Sequence, residues 1–233
     1  MEKMGESQII DFFSTIINDE FKKEFGDTES YSIGNFSGSQ DREFADFFAG
    51  TDAVNVLIEF KEKKVEYKAE SRKPNREILC KNLNDTISII SRKCHFIGWG
   101  TDQVVIEAEF CPYIDIVCHI WNCTNLLKKE KIHKDYQFVQ ELIKEEIGVN
   151  HNEFITYINY LHKISGGKDS GGEIPFKSIL YSYKDNRIVA TRFDNLNELL
   201  VLRQIIRMKN NEINEEKNKQ NDIDNDRGMG RRM

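Results

Sequence analysis

The chain concentrates acidic and basic side chains around one apolar run, and these side chains could carry chemistry. Residues 42–68 read REFADFFAGTDAVNVLIEFKEKKVEYK, with Asp46 before the run and Glu59 and Lys61 at its end. Two carboxylates held close together repel each other, and a divalent cation converts that repulsion into binding. A lysine beside them can neutralise charge that develops on phosphorus. The stretch is therefore either a metal site that hydrolyses a phosphodiester or a solvated hairpin.

The tripeptide Glu-x-Lys has no predictive value by itself, because it occurs five times: at Glu20, Glu59, Glu62, Glu66 and Glu215. The informative copy is the one that lies on a strand, next to a second strand with an acid at the same level. Side chains alternate along a strand, so the partners in a hairpin are fixed by the centre of its turn.

Two registers compete. A turn at 62–63 places Glu66 opposite Glu59 and leaves Asp52 on the other face, so a site of Asp52, Glu66 and Lys68 has poor geometry.

A turn around Thr51 instead joins strands 44–49 and 54–61. Asp46 then lies directly across from Glu59, and the lysine two residues after Glu59 shares their face. The apolar neighbours pair on the opposite face, as a core requires. We prefer this register because it brings two acids and a lysine together.

These residues resemble the PD-(D/E)XK nuclease superfamily: Ala-Asp at 45–46, then twelve residues, then Glu-Phe-Lys at 59–61. Alanine stands where the family's name has proline. The resemblance implies Asp46 and Glu59 as metal ligands, Lys61 as the catalytic lysine, and Mg²⁺ or Mn²⁺ as the cofactor.

Many members of this superfamily add an acid from the first helix. Here the resemblance implies Glu20 or Glu24, and Glu20 is the candidate third metal ligand.

The resemblance also implies a restriction-endonuclease-like α/β core around a mixed central sheet, in the order helix, three strands, helix, strand. Residues 7–98 fit that order, since apolar spacing, turn residues and a proline predict the following elements: a helix at 7–25, strands near 31–36, 44–48 and 54–61, a helix near 75–91 and a strand at 94–98.

Basic residues follow the motif closely. A nuclease would use them to hold the phosphates of nucleic acid, with DNA expected ahead of RNA; the candidates are Lys64, Lys68, Arg72 and Lys73. The resemblance suggests an Mg²⁺-dependent endonuclease in nucleic-acid defence or repair. The plainer interpretation of the same residues is a charged, solvated face.

Two alternatives stay open. If residues 40–49 form a helix, Asp46 and Glu59 never meet, and salt ladders on an edge hairpin need no metal. The chain would then be a non-catalytic acidic interaction or regulatory module of the immunity type.

Composition sets the wider limits. The chain has 233 residues and a net charge of −6, which disfavours a protein that permanently coats nucleic acid. It shows neither a signal peptide nor a run long enough to span a membrane, so no membrane partner is expected. Five scattered cysteines, among them Cys118 as a buried thiol, favour a cytoplasmic protein, and their spacing gives little support to a zinc site.

The chain divides into three parts by pattern. Residues 1–110 form the nuclease-like core, and 111–208 form a mostly helical part packed on it, with a hairpin turning at 185–186 and a possible surface for a protein partner or a second copy. Residues 209–233 are polar and predicted to be disordered. The segment 113–122 fits either a strand or a buried helix.

Overall fold

The computed structural model describes residues 5–25, 30–101, 106–123, 131–184 and 187–229. Its strands are β1 (Tyr31–Asn35), β2 (Phe47–Gly50), β3 (Asn55–Lys61), β4 (His95–Gly100), β5 (Ala108–Pro112), β6 (His133–Lys134), β7 (Pro175–Lys184) and β8 (Arg187–Asn195). Its α-helices are α1 (Glu6–Phe25), α2 (Ser39–Glu43), α3 (Pro74–Lys81), α4 (Asp85–Cys94), α5 (Tyr113–Val117), α6 (Asp135–Ile143), α7 (His151–Ile164) and α8 (Leu196–Met229). Short 3₁₀ helices cover Lys64–Arg72, Cys118–Trp121 and Gly171–Glu173.

One mixed sheet organises these elements, with the strand order β6-β5-β4-β3-β2-β1-β7-β8. The central strands β1, β2 and β3 are antiparallel neighbours, whereas β3 and β4 are parallel. A parallel pair needs a crossover, which the segment with α3 and α4 supplies. The predicted α/β class with a mixed sheet is therefore confirmed.

The register of β2 on β3 is the one that the sequence favours. Phe47 pairs with Ile58, and Phe48 pairs with Leu57, as a turn around Thr51 requires. The helical alternative holds only for the short α2, which ends at Glu43. The strand begins at Phe47, three residues later than expected, so Asp46 lies in the short link between the two elements.

The core lies on both faces of the sheet, which explains why the central strands are apolar almost throughout. On one face, α1 and α6 cover alternate strand residues, and Phe13 of α1 contacts the rings of Phe47 and Phe60. On the other face, residues of α4, α5 and α7 cover the intervening residues, such as Phe48 and Leu57. The helical spacing that predicts 7–25 matches the observed α1 closely.

The C-terminal part contributes both strands and helices. The predicted hairpin is β7–β8, and β7 pairs with β1, so it extends the central sheet. Its turn at 185–186 lies outside the described residues. The undecided segment 113–122 is helical through residue 121, in α5 and the following 3₁₀ turn.

The last helix, α8, continues to Met229 and thus covers most of the segment predicted to be disordered. Glu, Lys and Gln are good helix formers, and extending an existing helix avoids the cost of nucleation. Residues 230–233 lie outside the described residues.

One cysteine expectation is wrong: Cys118 is not a free thiol, because it forms a disulfide with Cys80 of α3, with 5.3 Å between the Cα atoms. Packing of α3 against the 3₁₀ turn brings the two cysteines together, which their separation in sequence does not reveal.

Nowhere in the described ranges does a helix combine the length and the apolar character needed to cross a bilayer.

Candidate active site

Three strand ends meet at one end of the sheet: β1 ends, β2 begins and β3 ends there. Asp46 precedes β2, and its Oδ2 accepts a hydrogen bond of 2.6 Å from the backbone N–H of Phe60. Phe60 stands between Glu59 and Lys61, so this bond fixes the Asp46 carboxylate beside both of them. The structure brings together the three residues that the sequence predicts.

Glu59 lies at the centre of the cluster and is only 1% exposed. Its Oε1 lies 2.5 Å from Nζ of Lys61 and 2.5 Å from Nζ of Lys73. Its Oε2 is buried and has no hydrogen-bond partner among the described residues. One oxygen of Glu59 is therefore shared by two ammonium groups, while the other is unsatisfied.

A further carboxylate, Glu70, lies on the far side of the two lysines. It belongs to the 3₁₀ helix after β3 and is 1% exposed. Its Oε1 lies 3.2 Å from Nζ of Lys61 and 3.4 Å from Nζ of Lys73. Its Oε2 accepts a hydrogen bond of 2.6 Å from the hydroxyl of Tyr113. No pattern in the sequence singles out this residue.

Arg76 connects the cluster to neighbouring backbone. It is completely buried in α3, and its guanidinium donates to the backbone carbonyl groups of Phe44 at 2.8 Å and Glu43 at 3.3 Å. Its Nε lies 3.8 Å from Glu70. Arg76 therefore ties the segment that leads to Asp46 to the helix that follows Lys73.

The two acids of the pair have opposite electrostatic surroundings. Burial and the nearby Glu59 carboxylate raise the pKa of Asp46 to about 9. Burial alone would also raise the pKa of Glu59, but Lys61, Lys73 and Arg76 outweigh it and hold that pKa at about 2. Glu59 thus carries the negative charge, and Asp46 takes up a proton unless a cation is present.

The same carboxylates keep Lys61 charged. Burial lowers the pKa of a lysine, but Glu59, Glu70 and Asp46 more than compensate and raise the pKa of Lys61 above its usual value. Lys61 therefore carries a positive charge in this cluster, which suits charge stabilisation.

The acid that α1 brings to this region is Glu6, not Glu20. Glu6 lies in the first turn of α1, where burial raises its pKa while Lys61 and Glu59 act on it in opposite directions. Glu20 instead lies 2.5 Å from Nζ of Lys23 and accepts from Gln140 of α6 at 2.9 Å. Those contacts hold Glu20 in the interface between α1 and α6.

A polar cavity of about 650 Å³ opens beside the cluster. Its walls come from the start of α1, the end of β3 and the 3₁₀ helix, and they comprise Glu6, Lys61, Glu66, Lys68, Ala69, Glu70, Ser71, Arg72 and Lys73. Three of the four predicted phosphate-binding residues, Lys68, Arg72 and Lys73, are therefore at the cavity. The fourth, Lys64, has its ammonium 5.2 Å from the centre of the Trp99 ring.

The residues of the competing register do not converge; they are Asp52, Glu66 and Lys68. Asp52 accepts a hydrogen bond of 2.6 Å from the Ser30 hydroxyl and lies within 3.9 Å of Arg203. These contacts attach α8 to the turn between β2 and β3, so Asp52 has a structural partner of its own.

The residues fit a divalent cation held by two carboxylates. In the part of the chain that the structure describes, no group of three or more His, Cys, Asp or Glu side chains is placed to hold a metal. Mg²⁺ commonly takes only one or two carboxylates and completes its shell with water and phosphate oxygens. The unsatisfied Oε2 of Glu59 and the raised pKa of Asp46 are what such a cation would relieve.

Comparison with protein-family models, curated proteins and solved structures finds no match to this chain.

Proposed function

We propose that this protein is a divalent-metal-dependent nuclease of the PD-(D/E)XK type, with a restriction-endonuclease-like core and Asp46, Glu59 and Lys61 at its centre. The observation that carries the proposal is the convergence of these three residues at one end of a mixed sheet. The resemblance implies the order helix, three strands, helix, strand, and the observed order supports the proposal, although the short α2 lies between the first two strands and two α-helices precede the fourth.

Each residue has a chemical role in this proposal. Asp46 and Glu59 would hold Mg²⁺ or Mn²⁺, which, when bound, acidifies water and stabilises charge on a phosphate. Lys61 holds a permanent positive charge next to Glu59 and would neutralise charge on the phosphate oxygens in the transition state. The bond from Phe60 keeps Asp46 aimed at the same point.

The cavity walls supply the substrate contacts. Lys68 and Arg72 are exposed and line the cavity, so they can neutralise phosphates on either side of the scissile bond. The protein as a whole carries a charge of −6, and this local basic wall is the feature that would attract a polyanion. Nucleic acid, with DNA ahead of RNA, is the proposed substrate.

A cleavage screen tests the proposal. End-labelled single- and double-stranded DNA and RNA are incubated with the protein and Mg²⁺, Mn²⁺ or EDTA, and the products are separated by size. Asp46→Asn, purified in parallel, controls for contaminating nucleases because it keeps the acceptor for the Phe60 N–H. We expect cleavage by the wild type with metal only, and none by Asp46→Asn.

A non-catalytic interaction module is the second candidate. One observation favours it: two lysines already neutralise Glu59, and buried ion clusters of this kind need no metal. Equal behaviour of the wild type and Asp46→Asn on every substrate, together with no bound metal, would support this function instead.

A further inference from the structure

Glu70 has four charged or polar contacts, with Lys61, Lys73, Arg76 and Tyr113. It is the second carboxylate for both Lys61 and Lys73, at 3.2 Å and 3.4 Å, and Tyr113 orients its other oxygen. At 1% exposure, a carboxylate in this position is held by its partners rather than by water.

The four groups form a closed ring of alternating charge. Glu59 and Glu70 face each other, and the ammonium groups of Lys61 and Lys73 lie between them, each in contact with both carboxylates. Two positive charges are thus balanced by two negative charges. Without Glu70, the one carboxylate that contacts both ammonium groups would be Glu59, the residue proposed to hold the metal.

This balance matters for cation binding because like charges in a buried site repel strongly. A divalent cation near Glu59 must approach two ammonium groups that touch its Oε1. Glu70 offsets one of these charges from the other side of the ammonium groups, both of which contact Oε1 of Glu59. The buried Oε2, which has no hydrogen-bond partner among the described residues, remains available.

Building on the proposed metal-dependent function, we propose that Glu70 is a positioning residue that makes cation binding possible beside two lysines. It holds the ammonium groups of Lys61 and Lys73 against one oxygen of Glu59 and cancels part of their charge. Tyr113 fixes its orientation, but the charge of Glu70 provides the effect.

A charge cycle tests this role through metal affinity, which does not depend on turnover. Mn²⁺ binding is measured by calorimetry for the wild type, Glu70→Gln, Lys73→Met and the double variant. Removing the negative charge should weaken Mn²⁺ binding roughly tenfold or more, and removing a positive charge should strengthen it. The double variant should return close to the wild-type affinity.

One further variant makes the interpretation specific. Tyr113→Phe removes the hydrogen bond to Glu70 but keeps its charge, so its Mn²⁺ affinity should stay within about threefold of the wild type. If Glu70→Gln alone fails to fold, the double variant is compared with Lys73→Met, and the proposal requires the double variant to bind Mn²⁺ more weakly.

Unchanged Mn²⁺ affinity in folded Glu70→Gln, or no gain in Lys73→Met, would overturn the role of Glu70 and leave the proposed nuclease intact. A wild type that binds no Mn²⁺ would refute the proposed metal site, and the role of Glu70 with it. The two failures are therefore distinguishable in the same titration.

Discussion

The backbone N–H of Phe60 donates a 2.6 Å hydrogen bond to the carboxylate of Asp46, across the gap between two strands. This bond continues the pairing in which Phe47 lies opposite Ile58. The bond places Asp46, which lies in the segment between α2 and β2, beside the Glu-x-Lys motif at 59–61. The proposed site therefore depends on one strand register, and the predictions below follow from the charges that this register brings together.

Asp46→Asn should stabilise the metal-free protein. The pKa of Asp46 is about 9 in the folded state against 3.8 for the free side chain, so the folded state binds more protons between these values. The free energy of unfolding must then fall as the pH rises through this window. Urea denaturation in EDTA at pH 5, 7 and 9 should show this slope in the wild type and a flatter one in Asp46→Asn.

At pH 8 the variant should be more stable than the wild type by at least about 1 kcal/mol. Asp11→Asn, at an exposed position of the same chain, is the matched control and should leave the slope unchanged. Identical slopes in the wild type and Asp46→Asn would show that the Asp46 carboxylate is not held in the neutral form.

Glu59→Gln should have the opposite effect on stability. It leaves the ammonium group of Lys61, which is 8% exposed, without its shortest ion pair. Removing one partner of a buried ion pair typically costs about 3–5 kcal/mol. Because Glu70 still contacts both lysines, we expect about 2–4 kcal/mol from denaturation midpoints, with partial recovery in Glu59→Gln/Lys73→Met. No loss of stability would mean that the charge ring does not support the fold.

Two glutamates of α1 should differ in their effect on cleavage. Glu6→Gln alters a carboxylate at the cavity and should lower the rate several-fold, whereas Glu20→Gln should not, since Glu20 contacts Lys23 and Gln140. Both variants remove one negative charge from the same helix, so they control for each other. Equal rates in both variants would remove Glu6 from the site.

Truncation after Lys209 should leave the melting temperature nearly unchanged. The removed segment is strongly polar and offers almost no apolar surface to the core. A large drop in melting temperature on truncation would show that the end of α8 packs against the rest of the protein.

Arg203→Met tests the part of α8 that does pack, because Arg203 is 3% exposed and donates to Asn55 at 3.2 Å. That substitution should lower the free energy of unfolding by about 1–3 kcal/mol.

The pattern of residues predicts the sheet at the site but not all of the site. Alternation along 54–61 and the turn at Thr51 are local signals, so the register that pairs Phe47 with Ile58 could be derived from them. Glu70 could not, because KVEYKAESR has no periodicity that distinguishes one glutamate from another, and only packing against Tyr113 buries it.

Glu6 could have been found from topology. A helix that is joined to β1 by a short connection runs back along it, so the start of α1 lies near the end of β1, where Asp46 and Lys61 also lie. Glu20 stands fourteen residues further along α1, or about 21 Å at 1.5 Å per residue. The resemblance implies an acid from the first helix, but it does not specify which turn of that helix lies at the site.

Cleavage by Lys61→Met tests the central claim most directly. Methionine keeps the bulk of the side chain and both carboxylates of the pair, so Mn²⁺ should still bind while the cleavage rate falls by about two orders of magnitude or more. Lys68→Met, on the cavity wall, should change the rate far less. Lys61→Met that cleaves within a few-fold of the wild type would contradict a nuclease site built on Asp46, Glu59 and Lys61.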